Sequence, residues 1–167
     1  MVNSNRINNN NKFKQTKVLT EKYSGYKGKK QVIELLSSWE IKAVNYLEQL
    51  YKLKRIDGWS SEESVFEYRY SLDNKVHRYY MDFTLLKNDK VIFVEVKPKA
   101  ETIPPKRPKE FKTDKQQRYY HSKVQTYIKN QDKWNAVDEW CNTQNESLGY
   151  VKYKFVKWTE ETLSIKK

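Results

Sequence analysis

The fold is decided by one stretch of the chain, Tyr79-Tyr-Met-Asp-Phe-Thr-Leu-Leu-Lys-Asn-Asp-Lys-Val-Ile-Phe-Val-Glu-Val-Lys-Pro98. Its β-branched and aromatic residues predict two strands, over residues 76–87 and 90–97, joined by a two-residue turn at Asn88-Asp89. With that turn, Asp82 lies directly opposite Glu95. The other face is apolar, as a sheet packed on helices requires, and comprises Phe83, Leu85, Ile92, Val94 and Val96.

The polar face of this predicted hairpin carries Asp82, Glu95 and Lys97. Like charges that face each other across two strands are destabilising, and a divalent cation with hard oxygen ligands relieves that conflict. Lys97 could then orient the attacking water and stabilise charge on a phosphate. The alternative is an exposed edge hairpin whose charged side chains only keep it soluble, and the spacing alone does not separate the two.

Composition narrows the classes of function. The chain has 167 residues and a net charge of +12, and its pI is near 9.5. This predicts one domain with tails and a polyanionic partner, most simply nucleic acid, although a merely soluble basic protein would show the same charge. One cysteine and two histidines disfavour a zinc site, so carboxylates are expected to bind Mg²⁺, with Mn²⁺ as the alternative.

The ends of the chain carry few apolar residues. We expect a flexible basic arm over residues 1–30, with a net charge of +7, a folded domain over 31–160 and a tail over 161–167. No apolar run approaches the ~18 residues of a membrane span, and no signal peptide is visible. The sequence therefore predicts a cytoplasm-like compartment and no membrane partner.

The first helix is predicted over residues 38–54, because Ser37 and Glu40 have the spacing of a capping box. Glu40 either completes that cap or points toward the metal site as a third carboxylate.

A strand is expected over residues 59–71. A two-residue turn at Asp73-Asn74 would then place Glu67 on the face of Asp82 and Arg69 opposite Arg78, with a DNA phosphate between the arginines. A wider turn would shift that register.

After Pro98 comes a proline-rich loop in a basic segment, since residues 97–123 contain nine Lys or Arg and three Asp or Glu. Its cations are expected to hold a DNA backbone, namely Lys99, Lys106, Arg107 and Lys109. A solvated charge run is the alternative.

A helix over residues 114–143, with a break near Asn130 as one option, and a strand over 150–158 complete the pattern. Gln131 lies in the apolar stripe of that helix, either as a core amide or as a side chain that reaches the site. The element order predicts an α/β sandwich with a mixed, largely antiparallel central sheet flanked by helices.

The order of Glu40, Asp82, Glu95 and Lys97 along these elements resembles the PD-(D/E)xK, or restriction-endonuclease-like, nucleases. Met81 departs from the proline that this pattern has before its aspartate.

Six blocks in order resemble the head-completion nucleases of T-even-like tailed phages: Ser37-Ser-Trp-Glu40, Trp59-Ser-Ser-Glu-Glu63, His77-Arg-Tyr-Tyr-Met-Asp-Phe83, Glu95-Val-Lys-Pro98, Thr102-Ile-Pro-Pro-Lys106 and Asn130-Gln-Asp-Lys-Trp134. A more distant likeness is to the nuclease subunit of heteromeric transposases.

The resemblance implies metal binding by Asp82, Glu95 and the backbone carbonyl of Val96. It also implies a water-positioning role for Lys97 and accessory roles for Glu40 and Gln131. As partners it implies DNA and proteins of the phage head or portal vertex, with a homodimer as one option. The expected location is the host-cell cytoplasm during assembly, or the virion head.

Two other functions compete with a Mg²⁺-dependent DNA endonuclease of head completion. One is a structural head protein that uses its charge and arm to grip the portal or the DNA end. The other is a transposase-type nuclease that acts with a partner transposase.

Overall fold

The computed structural model describes residues 16–163. The strands are β1 Thr16–Leu19, β2 Val32–Leu35, β3 Gly58–Ser61, β4 Val65–Tyr70, β5 Lys75–Tyr80, β6 Phe83–Lys87, β7 Lys90–Val96 and β8 Tyr153–Trp158. The helices are α1 Ser38–Lys52, α2 Lys99–Thr102, α3 Asp114–Leu148 and α4 Glu160–Leu163, with a 3₁₀ turn at Thr20–Lys22.

The central sheet has four strands in the order β3-β6-β7-β8. Its first two pairings are antiparallel and the last, β7 with β8, is parallel. Phe83 pairs with Val94 and Lys87 with Lys90, which is the register expected from a two-residue turn at Asn88-Asp89. The predicted mixed, largely antiparallel sheet is therefore confirmed.

The sheet separates two hydrophobic cores. On one face, side chains of α1 such as Val44 and Leu47 pack against the apolar surface predicted for the hairpin, including Phe83 and Val94. On the other face, Trp134 and Val137 of α3 pack against residues of β4, β5, β7 and β8. The alternation of side chains along β7 sends successive residues to opposite cores, so the sheet is flanked by helices as predicted.

The two long strands predicted over residues 59–71 and 76–87 are wrong, because each is interrupted. Ser61 pairs with Phe83 while Val65 pairs with Tyr80, so three residues on one strand oppose two on the other. This is a β-bulge, in which Glu62 adopts a positive φ of 52°. The bulge separates β4 and β5 from the central sheet and leaves Asp82 just before β6.

The facing arginines predicted in the β4–β5 hairpin are not formed. Its loop is wider than two residues, since Tyr70 pairs with Lys75, and Arg69 consequently lies opposite Val76. Arg78 lies opposite Glu67, which is exposed rather than placed beside Asp82.

Helix α3 is one continuous helix, without the break considered near Asn130, and it continues past residue 143. Thr113 caps its first turn by accepting a hydrogen bond from the Gln116 N–H, and Gly149 ends it with a left-handed φ of 74°. The last strand consequently starts at Tyr153 rather than at residue 150.

The folded part of the chain begins earlier than the predicted boundary after residue 30. β1 pairs with β2, and Tyr26 packs edge-on against Trp59 at a centroid distance of 5.1 Å. Residues 16–30 are therefore part of the domain, while residues 1–15 of the predicted arm lie outside the described residues. At the other end α4 buries Leu163, so only residues 164–167 of the predicted tail lie outside them.

Between residues 16 and 163, no helix is both long and apolar enough to cross a membrane.

Candidate active site

Asp82 is positioned by the bulge and by the neighbouring strand. Asp82 directly follows Met81 in the sequence. The Met81 N–H donates a hydrogen bond to the Ser64 carbonyl, and the Met81 carbonyl accepts one from the Glu62 N–H. Asp82 Oδ2 accepts a 2.7 Å hydrogen bond from the Val96 N–H of β7. Bulges often redirect a side chain near an active site, and this one places a carboxylate against the end of β7.

Glu95 lies in β7, and only 1% of its surface is exposed. Its Oε2 accepts a 2.5 Å hydrogen bond from the Tyr79 hydroxyl, and its Oε1 forms a 3.1 Å ion pair with Lys97 Nζ. A buried carboxylate is costly unless its oxygens have partners, and here each oxygen has one. Sequence analysis did not identify Tyr79, whose only signal was its place in the strand two residues before Met81.

The charges of the site act on one another. Burial, and then the negative charge of Glu95, raises the pKa of Asp82 well above its usual value, although Lys97 opposes this. For Lys97, burial acts to lower the pKa, but Glu95 and Asp82 outweigh it and the pKa is raised. Lys97 is therefore held as a cation between two carboxylates, as the predicted hairpin face required.

Lys133 of α3 is a second lysine at the site, which sequence analysis missed. Burial lowers its pKa, the positive charges of Lys97 and Lys129 lower it further, and Glu95 opposes them. Its Nζ lies 4.7 Å from the centre of the Tyr79 ring. The sequence signal for Lys133 was weak. The residue lies beside Trp134 in the block Asn130-Gln-Asp-Lys-Trp134, in which only Gln131 was considered as a site residue.

Gln131 leaves the helix in a different direction from Lys133. Residues two positions apart in an α-helix are separated by about 200° around its axis. The Gln131 and Lys133 side chains therefore lie on opposite flanks of the buried stripe of α3. Within residues 16–163 no hydrogen bond joins Gln131 to Asp82, Glu95 or Lys97. The role of Gln131 stays a prediction.

Glu40 forms the cap that was one of the two alternatives for it, and its role as a third carboxylate of the metal site stays a prediction. Its carboxylate accepts 2.8 Å hydrogen bonds from the Ser37 hydroxyl and the Leu36 N–H, and its own N–H donates to Ser37 Oγ, which confirms the capping box. It also lies close enough to Asp82 to help raise the pKa of that carboxyl, as the weakest of the causes. Glu40 therefore caps α1 at the edge of the site.

The residues predicted to bind DNA are divided between two regions. Arg69 donates to the Asn74 carbonyl within the β4–β5 loop, and Lys99 forms a 2.5 Å ion pair with Glu161. The exposed cations of the proline-rich loop lie beyond α2, and they are Lys106, Arg107 and Lys109. The role of each residue in DNA binding stays a prediction.

The donor set fits a divalent cation bound by few protein ligands. Two carboxylates, Asp82 and Glu95, converge beside the end of β7, and the pKa of Asp82 is raised first by burial and then by the negative charge of Glu95. Among residues 16–163 there is no cluster of three or more His, Cys, Asp or Glu that could hold a metal. Mg²⁺ often uses only one or two carboxylates and takes its other ligands from water and substrate phosphate.

Comparison with known proteins relates this chain to nucleases. The head completion nuclease of Enterobacteria phage T4 is 34% identical to this chain over 115 residues, which are 68% of this chain and 74% of the relative. The match confirms the resemblance drawn from the six sequence blocks.

A family model described as TnsA-like endonuclease N terminal matches residues 53–156, a range that includes Asp82, Glu95, Lys97 and Lys133 but not Glu40. No solved structure matches the chain. The chain therefore belongs to the family of TnsA-like endonuclease N-terminal domains.

Proposed function

We propose that this protein is a metal-dependent DNA endonuclease that processes packaged DNA ends during completion of a phage head. One observation carries the proposal: Asp82, Glu95 and Lys97 meet at the end of β7, with Lys97 Nζ 3.1 Å from Glu95 Oε1. The relatedness to a phage head completion nuclease supports the place of that reaction in virion assembly.

Asp82, Glu95 and the Val96 carbonyl would hold the metal, Mg²⁺ in preference to Mn²⁺. When bound, the ion would supply Lewis-acid polarisation of the scissile phosphate and make water a better nucleophile. The hydrogen bond from Tyr79 fixes the orientation of the Glu95 carboxylate. These residues therefore orient the reacting groups before the substrate arrives.

Lys97 acts in this proposal as a cation and a hydrogen-bond donor. Burial acts to lower the pKa of Lys97, but Glu95 and Asp82 raise it, which favours the charged form over a neutral general base. Lys97 can instead orient the attacking water and offset the charge that develops on the phosphate. Lys133 approaches the same carboxylates from α3 and would contact a phosphate oxygen from the other side.

The proposal includes phage head or portal-vertex proteins as partners. The host-cell cytoplasm during assembly is the proposed location, with the virion head as the alternative. A homodimer would place two such sites on the two strands of one duplex.

Nicking of supercoiled plasmid tests the proposal. Wild type, Asp82→Ala and Lys97→Ala would be compared in Mg²⁺, Mn²⁺ and EDTA, with Asp89→Ala in the exposed β6–β7 turn as the matched control. We expect metal-dependent nicking by wild type and the control, and at least a ~100-fold loss in both site variants.

Unchanged cleavage by Asp82→Ala would overturn the assignment of the site. If pure wild-type protein binds DNA but does not cut it in either metal, the structural head protein or a nuclease that needs a partner transposase is the better description.

A further inference from the structure

A cavity of about 980 Å³ lies between the proline-rich segment 98–112 and the first half of α3. We call it the loop–helix cavity, and it is lined by Pro98, Ile103, Lys106, Tyr119, Lys123 and Tyr127 among others. Pro98 directly follows Lys97, and Glu101 on the cavity wall lies close enough to raise the pKa of Lys97. The cavity therefore opens beside the candidate active site.

The cavity is held open by both of its walls. Helix α3 buries no residue before Asn130, so its first four turns stand clear of the core. Three of the four prolines, Pro104, Pro105 and Pro108, follow α2 and keep the rest of the segment out of helix and sheet. Its far end is attached to α3 by packing of Phe111 on Tyr120, at a centroid distance of 5.6 Å.

The lining combines aromatic faces with positive charge. Tyr119 is 63% exposed, and Lys123 Nζ lies 4.8 Å from the centre of its ring. Residues 99–129 contain nine Lys or Arg against three Asp or Glu. Exposed aromatic rings interleaved with cations are how proteins bind single-stranded nucleic acid, because unpaired bases stack on the rings while cations contact the backbone.

A duplex could not use these features in the same way. Its base faces are already stacked inside the helix and are not available to a tyrosine ring. The cavity also has the volume of a small-ligand site, about 300–1,000 Å³, which suits a short unpaired segment.

We propose that unpaired nucleotides next to the scissile phosphate bind in the loop–helix cavity, so that the substrate is DNA with a single-stranded end or branch. This inference rests on the proposed nuclease function only in that it places the bound nucleotides next to a scissile phosphate. The binding itself requires neither metal nor cleavage.

The test is fluorescence anisotropy of the full-length protein in EDTA, so that binding is measured without cleavage. The probes are an oligothymidylate of about 15 nucleotides and a blunt duplex of the same length. Tyr119→Ala would be compared with Tyr150→Ala, a matched control just past the other end of α3, where the tyrosine is 47% exposed. Lys123→Gln is a second cavity variant.

We expect Tyr119→Ala to weaken oligothymidylate binding roughly tenfold, since each stacked base contributes about 1–3 kcal/mol. Duplex binding should change less than about twofold, and Tyr150→Ala should bind both probes like wild type. Lys123→Gln should weaken oligothymidylate binding in the same direction.

Equal affinity of wild type and Tyr119→Ala for oligothymidylate would overturn the inference, as would an equal loss on both probes. Metal-dependent cleavage of a duplex with a single-stranded tail, compared between wild type and Asp82→Ala, tests the proposed function separately, so the two can fail independently.

Discussion

Glu95 and Lys133 set the electrostatics of the site at the scale of single residues. Glu95 is buried with a partner on each oxygen, so its orientation does not depend on substrate. Burial of Lys133 lowers its pKa, and the nearby cations Lys97 and Lys129 disfavour its charge further. A phosphate placed between Lys97 and Lys133 would relieve that repulsion, which makes the pair better suited to bound DNA than to the free protein.

Lys133→Met should lower the rate of DNA cleavage about 10–100-fold, because it removes one donor aimed at the reacting phosphate. Lys154→Met, at an exposed position of β8, is the control and should cleave normally. Measuring both the single-turnover cleavage rate and the DNA affinity of each variant separates an effect on the reaction from an effect on DNA binding. If Lys133→Met loses affinity but keeps its rate, the residue only attracts DNA.

At the scale of elements, the first turn of α1 joins a structural cap to the site. Ser37 and Glu40 exchange hydrogen bonds, and the same Glu40 carboxylate contributes to the negative potential at Asp82. Substitutions can separate these two roles, since glutamine serves in a capping box but carries no charge.

Glu40→Gln should change the free energy of unfolding by less than about 0.5 kcal/mol and reduce cleavage at least ~10-fold. Ser37→Ala should lower stability by about 1 kcal/mol and leave cleavage near wild type. Urea unfolding measures the free energy of unfolding, and plasmid nicking measures cleavage. Normal cleavage by Glu40→Gln would show that the residue is a cap alone.

Glu63 attaches the N-terminal segment to the bulge. Its Oε1 accepts hydrogen bonds from the Tyr26 hydroxyl at 2.8 Å and from the Lys29 N–H at 2.6 Å. Burial acts to raise the pKa of Glu63, but these hydrogen bonds outweigh it and the pKa is lowered. An acid with a lowered pKa in the folded state stabilises the fold above its unfolded pKa, and this stabilisation is lost as the pH falls.

Glu63→Gln should therefore lower the free energy of unfolding by about 1 kcal/mol at pH 7, with part of the effect screened by solvent. The difference from wild type should shrink as the pH falls below about 4.5, where the unfolded carboxyl is protonated. Glu146→Gln, exposed near the end of α3, is the control. A difference that does not depend on pH would contradict the argument.

At the scale of the whole molecule, the loop and the first half of α3 contribute nine Lys or Arg against three Asp or Glu over residues 99–129, which is half of the net charge of +12. Cations that contact phosphates release counterions from DNA, so affinity falls with salt in proportion to the number of contacts. Charge on the far side of the domain contributes attraction at long range but few contacts.

The double variant Lys106→Ala/Lys109→Ala should reduce the slope of log affinity against log salt concentration by roughly two, if each lysine makes one phosphate contact. Lys52→Ala/Lys154→Ala removes the same charge away from the loop and should leave the slope nearly unchanged. Anisotropy over a salt series measures the slopes. Equal slopes for the two double variants would show that the loop does not contact DNA.

Much of the fold was predictable because it depends on neighbours in sequence. The register of β6 and β7 follows from a two-residue turn, and the apolar face of that hairpin from alternation along each strand. The cap of α1 requires only Ser37 and Glu40. The same turn and the same alternation predicted that Asp82, Glu95 and Lys97 share one face of the hairpin.

The tertiary structure decided the features that depend on distant residues. The bulge differs from a regular ladder by one residue, and alternation along either strand alone does not reveal it. Lys133 lies close enough to feel the charge of Glu95 only because α3 packs across the sheet, although the two residues are far apart in sequence.

The loop–helix cavity likewise exists because the chain leaves β7 and returns along α3 without entering the core. Local pattern thus determined which residues could form the site. Long-range packing determined how they are oriented and where DNA could enter, because these depend on contacts that no short stretch of sequence contains.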